Sequence, residues 1–213
     1  MKSPNHKNKS LDGYWKKRAY VLEDYQYDGF ARGSRVLDVG CGFGEQLKSV
    51  ISKGYNGIGV DISIEYLIGC RNKYLPVIQG ISEQLPFRNN SFDGIICKVV
   101  LPYTDEKKVM TEISRILRPG AKVELCVHGV GYYIHYMLFA PIFFTRIYAV
   151  LTIINTWLYI IIGRRWRDTI YQSHSRMKRY FKYLHFEIEK ITPSKLFLGM
   201  PVFIYYRLKK MNH

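Results

Sequence analysis

Residues 35–50 constrain this chain most. Arg35-Val36-Leu37-Asp38-Val39 is an apolar run carrying one acid; it breaks into Gly40-Cys41-Gly42-Phe43-Gly44, and Glu45-Gln46-Leu47-Lys48-Ser49-Val50 has the composition of a helix. The order predicts a buried parallel strand that turns sharply into a helix. Alternating glycines let the backbone turn and leave no Cβ in the way of a ligand, while the helix start offers free N–H groups. A nucleotide-like ligand fits this pattern; a tight turn that serves only packing is the alternative.

A second strand, Asn56 to Asp61, ends in an acid. Asp61 lies about 20 residues beyond the first glycine, where a strand-end carboxylate accepts from two hydroxyls of a ribose. Asp61 could instead cap the next helix, a role for which Ser63 competes. Ile64 to Asn72 reads as that helix. Tyr74 to Gln79 reads as a third strand, which Pro76 confines to an edge or to a start after the proline. Phe92 to Cys97 and Ala121 to His128 are further strands. Between them, Asp105 to Leu117 places Val109, Met110, Ile113 and Ile116 on one helical face, and Pro119-Gly120 ends the helix. His185 to Ile191 and Val202 to Leu208 read as a closing antiparallel hairpin. Strands and helices in turn predict an α/β fold with a mostly parallel sheet flanked by helices.

The chain has 213 residues and a formal charge of +15, which suits one domain with an elaboration and an affinity for something anionic. Cys41, Cys70, Cys97 and Cys126 have no metal-type spacing, so reduced thiols in a cytoplasmic setting and no bound metal are expected. Met1 to Ser10 is polar and lysine-rich and reads as a tail, not as a secretory signal.

The character changes after His128. Gly129 to Thr145 and Ile147 to Gly163 are apolar stretches separated only by Arg146. Each is shorter than the roughly 20 residues of a straight membrane span, so a bilayer-crossing hairpin is not favoured. Tyr132, Tyr133, Tyr136, Tyr148, Trp157 and Tyr159 suit an interfacial depth, and Arg164, Arg165 and Arg167 suit anionic headgroups. The alternative is a pair of core or dimer-interface helices over a substrate pocket, with homo-oligomer contacts through residues 129–163. The divisions are then 1–30, a tail and helical lid; 31–128, an α/β core; 129–184, an apolar and basic helical insertion for acceptor or membrane contact; and 185–213, the hairpin that completes the sheet.

Four segments in order carry a resemblance: Val36 to Gly44, Gly59 to Ser63, Leu85-Pro86-Phe87 with Ser91-Phe92-Asp93, and Glu112 to Gly120. Over residues 30–128 the chain resembles the class I S-adenosylmethionine-dependent methyltransferases, in particular the small-molecule and lipid methyltransferases. The resemblance implies a seven-stranded sheet with its last strand antiparallel, and S-adenosyl-L-methionine as cofactor at the C-terminal ends of the first strands. It places Gly40, Cys41, Gly42 and Gly44 beside the methionyl and ribose portions, Asp38 orienting that loop, Asp61 on the ribose hydroxyls, Ile62 against adenine, and Ile81 and Ser82 at the adenine edge. Cys97 to Val99 line the opening toward the methyl group, and Tyr14 and Arg18 close over the methionine carboxylate. Many relatives have Asp where this chain has Ile81, which cannot accept from the adenine amino group.

A sulfonium donor is already activated, so such a site chiefly aligns the acceptor and excludes water. His128 is the first candidate base for an oxygen nucleophile and His135 the second, with Tyr103 positioning the acceptor. The apolar block points to a small apolar or lipid-like acceptor, such as a quinone precursor, handled at a membrane surface. The positive charge keeps an RNA methyltransferase in view, although no RNA-binding module is recognisable and nucleic acid is not the expected partner. A non-catalytic membrane-associated S-adenosylmethionine-binding protein is the remaining alternative.

Overall fold

The computed structural model describes residues 27–140, 143–163, 166, 169–194 and 196–212. Tyr14, Arg18, Arg164, Arg165 and Arg167 lie outside the described residues. In chain order the elements are β1 (Arg35–Val39), α1 (Glu45–Ser52), β2 (Asn56–Asp61), α2 (Ile64–Arg71), β3 (Val77–Gln79), β4 (Phe92–Lys98), a 3-10 turn (Leu101–Tyr103), α3 (Glu106–Ile116) and β5 (Leu117–His128). Then come α4 (Val130–Phe139), α5 (Phe143–Ile162), α6 (His174–Tyr183), β6 (Phe186–Pro193), β7 (Leu196–Phe197), β8 (Met200–Pro201) and β9 (Phe203–Lys210).

Seven strands form one sheet in the order β3-β2-β1-β4-β5-β9-β6, and β9 runs antiparallel to both its neighbours. β1 is buried on both faces because it is central: Leu37 and Val39 join the main core with Ile95, Val123 and Leu125, while Val36 packs with Phe30, Val50 and Ile96 on the other side. The expected α/β architecture is thus present. β3 follows the sequence reading of Pro76, and β5 departs from its expected start. β3 starts only at Val77, at the sheet edge, because Pro76 has no N–H to give to the ladder. β5 starts at Leu117, paired with Phe92, and a register irregularity carries it past Pro119 before regular pairing resumes at Lys122. The small β7–β8 hairpin has no counterpart in the sequence reading.

Two of the four resembling segments are held together as framework. Arg115 donates from Nη1 to the Phe87 carbonyl at 2.8 Å and from Nη2 to the Leu85 carbonyl at 3.0 Å, and Glu112 pairs with Arg115 while accepting from the Leu85 amide at 2.8 Å. The guanidinium fork thereby saturates the backbone of a loop that has no ladder to join.

After β5, α4 and α5 form the helical insertion. Arg146 Nε donates to the Ala140 carbonyl at 2.8 Å, which satisfies one acceptor at the end of α4. Among the described residues no helix is long and apolar enough to cross a membrane. The start of α4 is pressed against the chain just before β9: a Cβ built on Gly129 would lie 2.1 Å from the Pro201 carbonyl oxygen, and one on Gly131 would lie 2.4 Å from that of Met200. Gly129 has φ −85°, open to any residue, so its constraint is purely steric. Gly129→Ala is expected to lower stability by about 1–3 kcal/mol in urea denaturation, the cost of overpacking against backbone; an unchanged midpoint would mean that this contact yields freely.

Candidate active site

The turn after β1 is fixed by its neighbours. The Gly40 and Cys41 amides both donate to the Val60 carbonyl, at 2.8 and 3.1 Å, and the Gly42 amide donates to Asp61 Oδ2 at 2.9 Å. Asp61 Oδ1 accepts from the Ser63 amide at 2.9 Å, while the Ser63 hydroxyl accepts from the Tyr66 amide and caps α2. Ser63 therefore takes the capping role, and Asp61 turns its carboxylate to the glycine turn. Gly40 has φ +69°, and a Cβ there would strike Val100 Cγ2 at 2.3 Å; Gly42 has φ +51° and open space where its side chain would be. One glycine is demanded by packing, and the other leaves a bare stretch of backbone at the ends of β1 and β2.

Asp38 sits beneath this turn. It is buried, its Oδ2 lacks a partner among the described residues, and burial pushes its carboxyl up to about 7, partly opposed by the Lys98 ammonium. The Cys41 thiol is likewise pushed up by burial, so it stays protonated beside the turn. Ile62, 63% exposed, follows Asp61 on the same rim, and Ile81, also exposed, forms an isolated bridge with Gln84. The Ser82 hydroxyl donates to Glu83 Oε2 at 3.1 Å. Cys97 is fully buried in the main core, so the C-terminal end of β4 opens to the cleft through Lys98 and Val99 and not through this thiol. The alternation of a strand sends its side chain to the covered face.

A second group of side chains gathers at the C-terminal end of β5. His128 is 3% exposed, and its ring stacks on Tyr132 at 3.7 Å and 9°. Tyr103 meets the same imidazole edge-on at 6.3 Å. His128, Tyr103, Tyr132, Tyr133, Tyr136 and Tyr148 line one cavity. Burial lowers the His128 imidazole to about 3, so it is neutral at physiological pH. As pH falls from the ordinary value of 6.5 toward 3, the unfolded chain takes up a proton that the fold refuses, so this residue makes the protein less stable on acidification. His135 does not join the cluster: its ring packs against Phe139 and, at 4.9 Å, against Phe197 of β7. Tyr133 and Tyr136, read from the sequence as interfacial, are buried in the cavity wall, and Trp157 remains exposed. The sequence signal for this was local: residues 128, 132 and 136 recur at helical spacing once α4 starts directly after β5.

A conserved-domain model described as a methyltransferase domain matches residues 37–125. An uncharacterized protein of Methanocaldococcus jannaschii is 41% identical over 88 residues, which are 40% of this chain and 34% of that protein. A demethylmenaquinone methyltransferase of Renibacterium salmoninarum is 34% identical over 98 residues, covering 45% of this chain and 41% of the relative. The chain thus spans roughly a third to two fifths of the curated relatives it matches. The crystal structure of an S-adenosylmethionine-dependent methyltransferase from Mesorhizobium loti superposes with a TM-score of 0.64 at 18% identity, over 94% of this chain and all of the other. A second such structure, from Methanosarcina mazei, gives the same TM-score over 86% of this chain and 95% of that one. With the strand order, the glycine turn and Asp61 in place, the chain has the fold of the class I S-adenosylmethionine-dependent methyltransferases, and its residues 37–125 match the methyltransferase-domain model.

Proposed function

We propose that the protein transfers a methyl group from S-adenosylmethionine to a small apolar or lipid-like acceptor at a membrane surface. One observation carries this reading: the glycine turn with Asp61 and the His128 cluster stand at the same edge of the sheet, at the C-terminal ends of β1, β2 and β5. The residues fit the cofactor. A bare Gly42 backbone, an unpartnered buried Asp38 oxygen and the Asp61 carboxylate suit a ligand with a cationic head and a vicinal diol. Asp61 would hold the ribose hydroxyls, Gly40 to Gly44 the methionyl side, and Ile62, Ile81 and Ser82 the adenine. When bound, S-adenosylmethionine supplies a methyl group already activated on sulfur.

The protein's own part is then positioning and proton management. The aromatic wall shields His128, the half-exposed Tyr103 orients the acceptor, and neutral His128 can accept a proton from it; a low basicity makes it a weak base, suited to an acidic hydroxyl. His135, packed on Phe197, is better placed to support the insertion than to reach the acceptor. The match to demethylmenaquinone methyltransferases supports an apolar acceptor. Incubation with methyl-labelled donor and a total lipid extract beside total RNA tests the reading. Label in the lipid fraction is expected; label confined to RNA overturns it.

The membrane part rests on α5. Phe143, Phe144, Ile147, Val150, Ile154, Trp157 and Ile161 are exposed along it, Phe144 at 78% and Trp157 at 62%. Their spacing makes one continuous apolar stripe, and residues 130–185 carry eight Lys and Arg against the single acid Asp168. Phe144→Ser combined with Trp157→Ser is expected to cut partitioning onto vesicles containing phosphatidylglycerol at least tenfold, since about 25 cal/mol is lost per Å² of apolar surface withdrawn from lipid. Equal partitioning of variant and parent removes the membrane from the proposal.

A further inference from the structure

The tip of the β7–β8 hairpin carries the wrong residue for its own backbone. Leu196 pairs with Pro201 and Phe197 with Met200, so Leu198-Gly199 is a two-residue turn, and both residues have positive φ, +49° and +75°. That is the pattern of a type I′ turn, whose first position favours Asn, Asp or Gly because larger L-residues are strained there. A leucine holds it, 68% exposed. In water this residue is unfavourable twice, in its backbone and in its bare side chain. Leu196, on the strand beside it, is exposed as well.

The base of the hairpin is firmly held. The Ser194 amide donates to the Phe203 carbonyl at 2.9 Å, and the Phe203 amide donates to the Ser194 hydroxyl at 2.8 Å. Strand alternation turns Phe197 away from Leu196. The Phe197 ring meets Phe139 at 5.8 Å and His135 at 4.9 Å, so the hairpin leans on α4 through this one ring and leaves its two leucines outside. Phe139 is the last residue of α4 and is itself exposed, beside Leu138; Phe143 and Phe144 follow at the start of α5. The hairpin tip and the apolar stripe of α5 thus flank the same end of α4.

We propose that the β7–β8 tip is a second lipid anchor, which seats Leu196 and Leu198 among the acyl chains of an anionic bilayer while α5 lies along its surface. The proposal rests on the membrane part of the function proposed above and adds to it the element that penetrates. An apolar medium relieves the exposure of both leucines and leaves only the backbone strain of Leu198. Charge selects lipid over a second copy of the chain. Residues 130–213 carry 13 Lys and Arg against 3 acids, and no Asp or Glu occurs from Lys190 to His213. Such a surround is drawn to anionic headgroups, and it repels its own like in a protein of charge +15. Strands of two residues also give another protein's strand almost no edge to join.

Leu198→Asn tests the anchor, because asparagine suits this turn position and is unfavourable in lipid. The full chain is expected to partition onto vesicles containing phosphatidylglycerol, and the variant to partition about tenfold more weakly, the worth of one buried leucine. Its urea midpoint should rise at the same time, a pairing that a leucine serving only the fold would not give. Leu198→Cys labelled with an environment-sensitive fluorophore gives a direct reading, since the four native thiols are buried. Its emission should shift to the blue on the same vesicles and be quenched by brominated acyl chains. Equal partitioning of Leu198→Asn and parent, a lower urea midpoint, or a label that brominated chains leave unquenched overturns the anchor. If Phe144→Ser with Trp157→Ser still weakens binding in that case, the membrane reading stands without the hairpin; a parent that does not partition removes both. Self-association of the parent that Leu198→Asn abolishes in sedimentation, with partitioning unchanged, makes a second copy the occupant and overturns the lipid assignment.

Discussion

Asp61→Ala is expected to weaken S-adenosylhomocysteine binding by about 100-fold or more, from the loss of two charge-assisted hydrogen bonds at roughly 1.5–3 kcal/mol each. The carboxylate is already aimed: each oxygen is held by one backbone amide, Gly42 on one side and Ser63 on the other, and each keeps a lone pair for a ribose hydroxyl. The substitution also frees the Gly42 amide, so a general loosening of the turn must be separated from loss of ribose contact. An analogue lacking both ribose hydroxyls does this. Parent and variant should bind it within about threefold of each other if the contact is the direct one. A large loss for the analogue as well would assign Asp61 to the turn alone, and a loss under threefold for the natural ligand would remove Asp61 from the site.

Arg176→Ala is expected to cost about 3–5 kcal/mol of stability, because it leaves a buried carboxylate without its counter-charge. Arg176 Nε lies 2.8 Å from Glu106 Oε1, and both side chains are almost wholly buried. Gln172 Nε2 bridges Glu106 Oε2 at 3.1 Å and the Leu101 carbonyl at 3.3 Å, and the Arg176 guanidinium lies 5.6 Å over the Tyr159 ring. α3, α5, α6 and the turn bearing Tyr103 thus meet at one ion pair. Since whole domains are stable by about 5–15 kcal/mol, the loss should appear as a large fall in the urea midpoint. Replacing the pair together, Glu106→Leu with Arg176→Met, should recover much of it, because burial without partnership is what costs. A single variant as stable as the parent would show that water reaches Glu106 and that the hub is not closed.

The glycine turn and its surroundings were legible because each of their signals is local. A strand, a glycine turn and a helix start lie within residues 35–50, and Asp61 ends a strand whose apolar pattern is plain. Only the competition between Asp61 and Ser63 needed coordinates. The Leu85 to Phe87 and Glu112 to Arg115 segments were legible as a pattern but not as a purpose, since the hydrogen bonds joining them span more than 25 residues. The helical insertion after β5 resisted in part for the same reason. Hydropathy recorded that Tyr132, Tyr133, Trp157 and Tyr159 are apolar and amphipathic, yet the facing of Tyr133 and Tyr159 depends on packing against Tyr171 and Arg176, which only the fold brings near. Exposure divides them: the first two build a chamber and Trp157 faces outward.

The carbonyl oxygens of Met200 and Pro201 lie where side chains of residues 129 and 131 would otherwise stand. The β7–β8 hairpin is in this way a doorstop for α4, set by a segment synthesised after that helix. The helix that carries Tyr132 takes its seat against residues 200 and 201, just before β9. A ribosome-bound fragment ending before residue 200 would have its glycine turn and Asp61 complete while the ring-lined chamber was still unframed. The glycine turn and the ring-lined cavity are thereby separated in the order of their making.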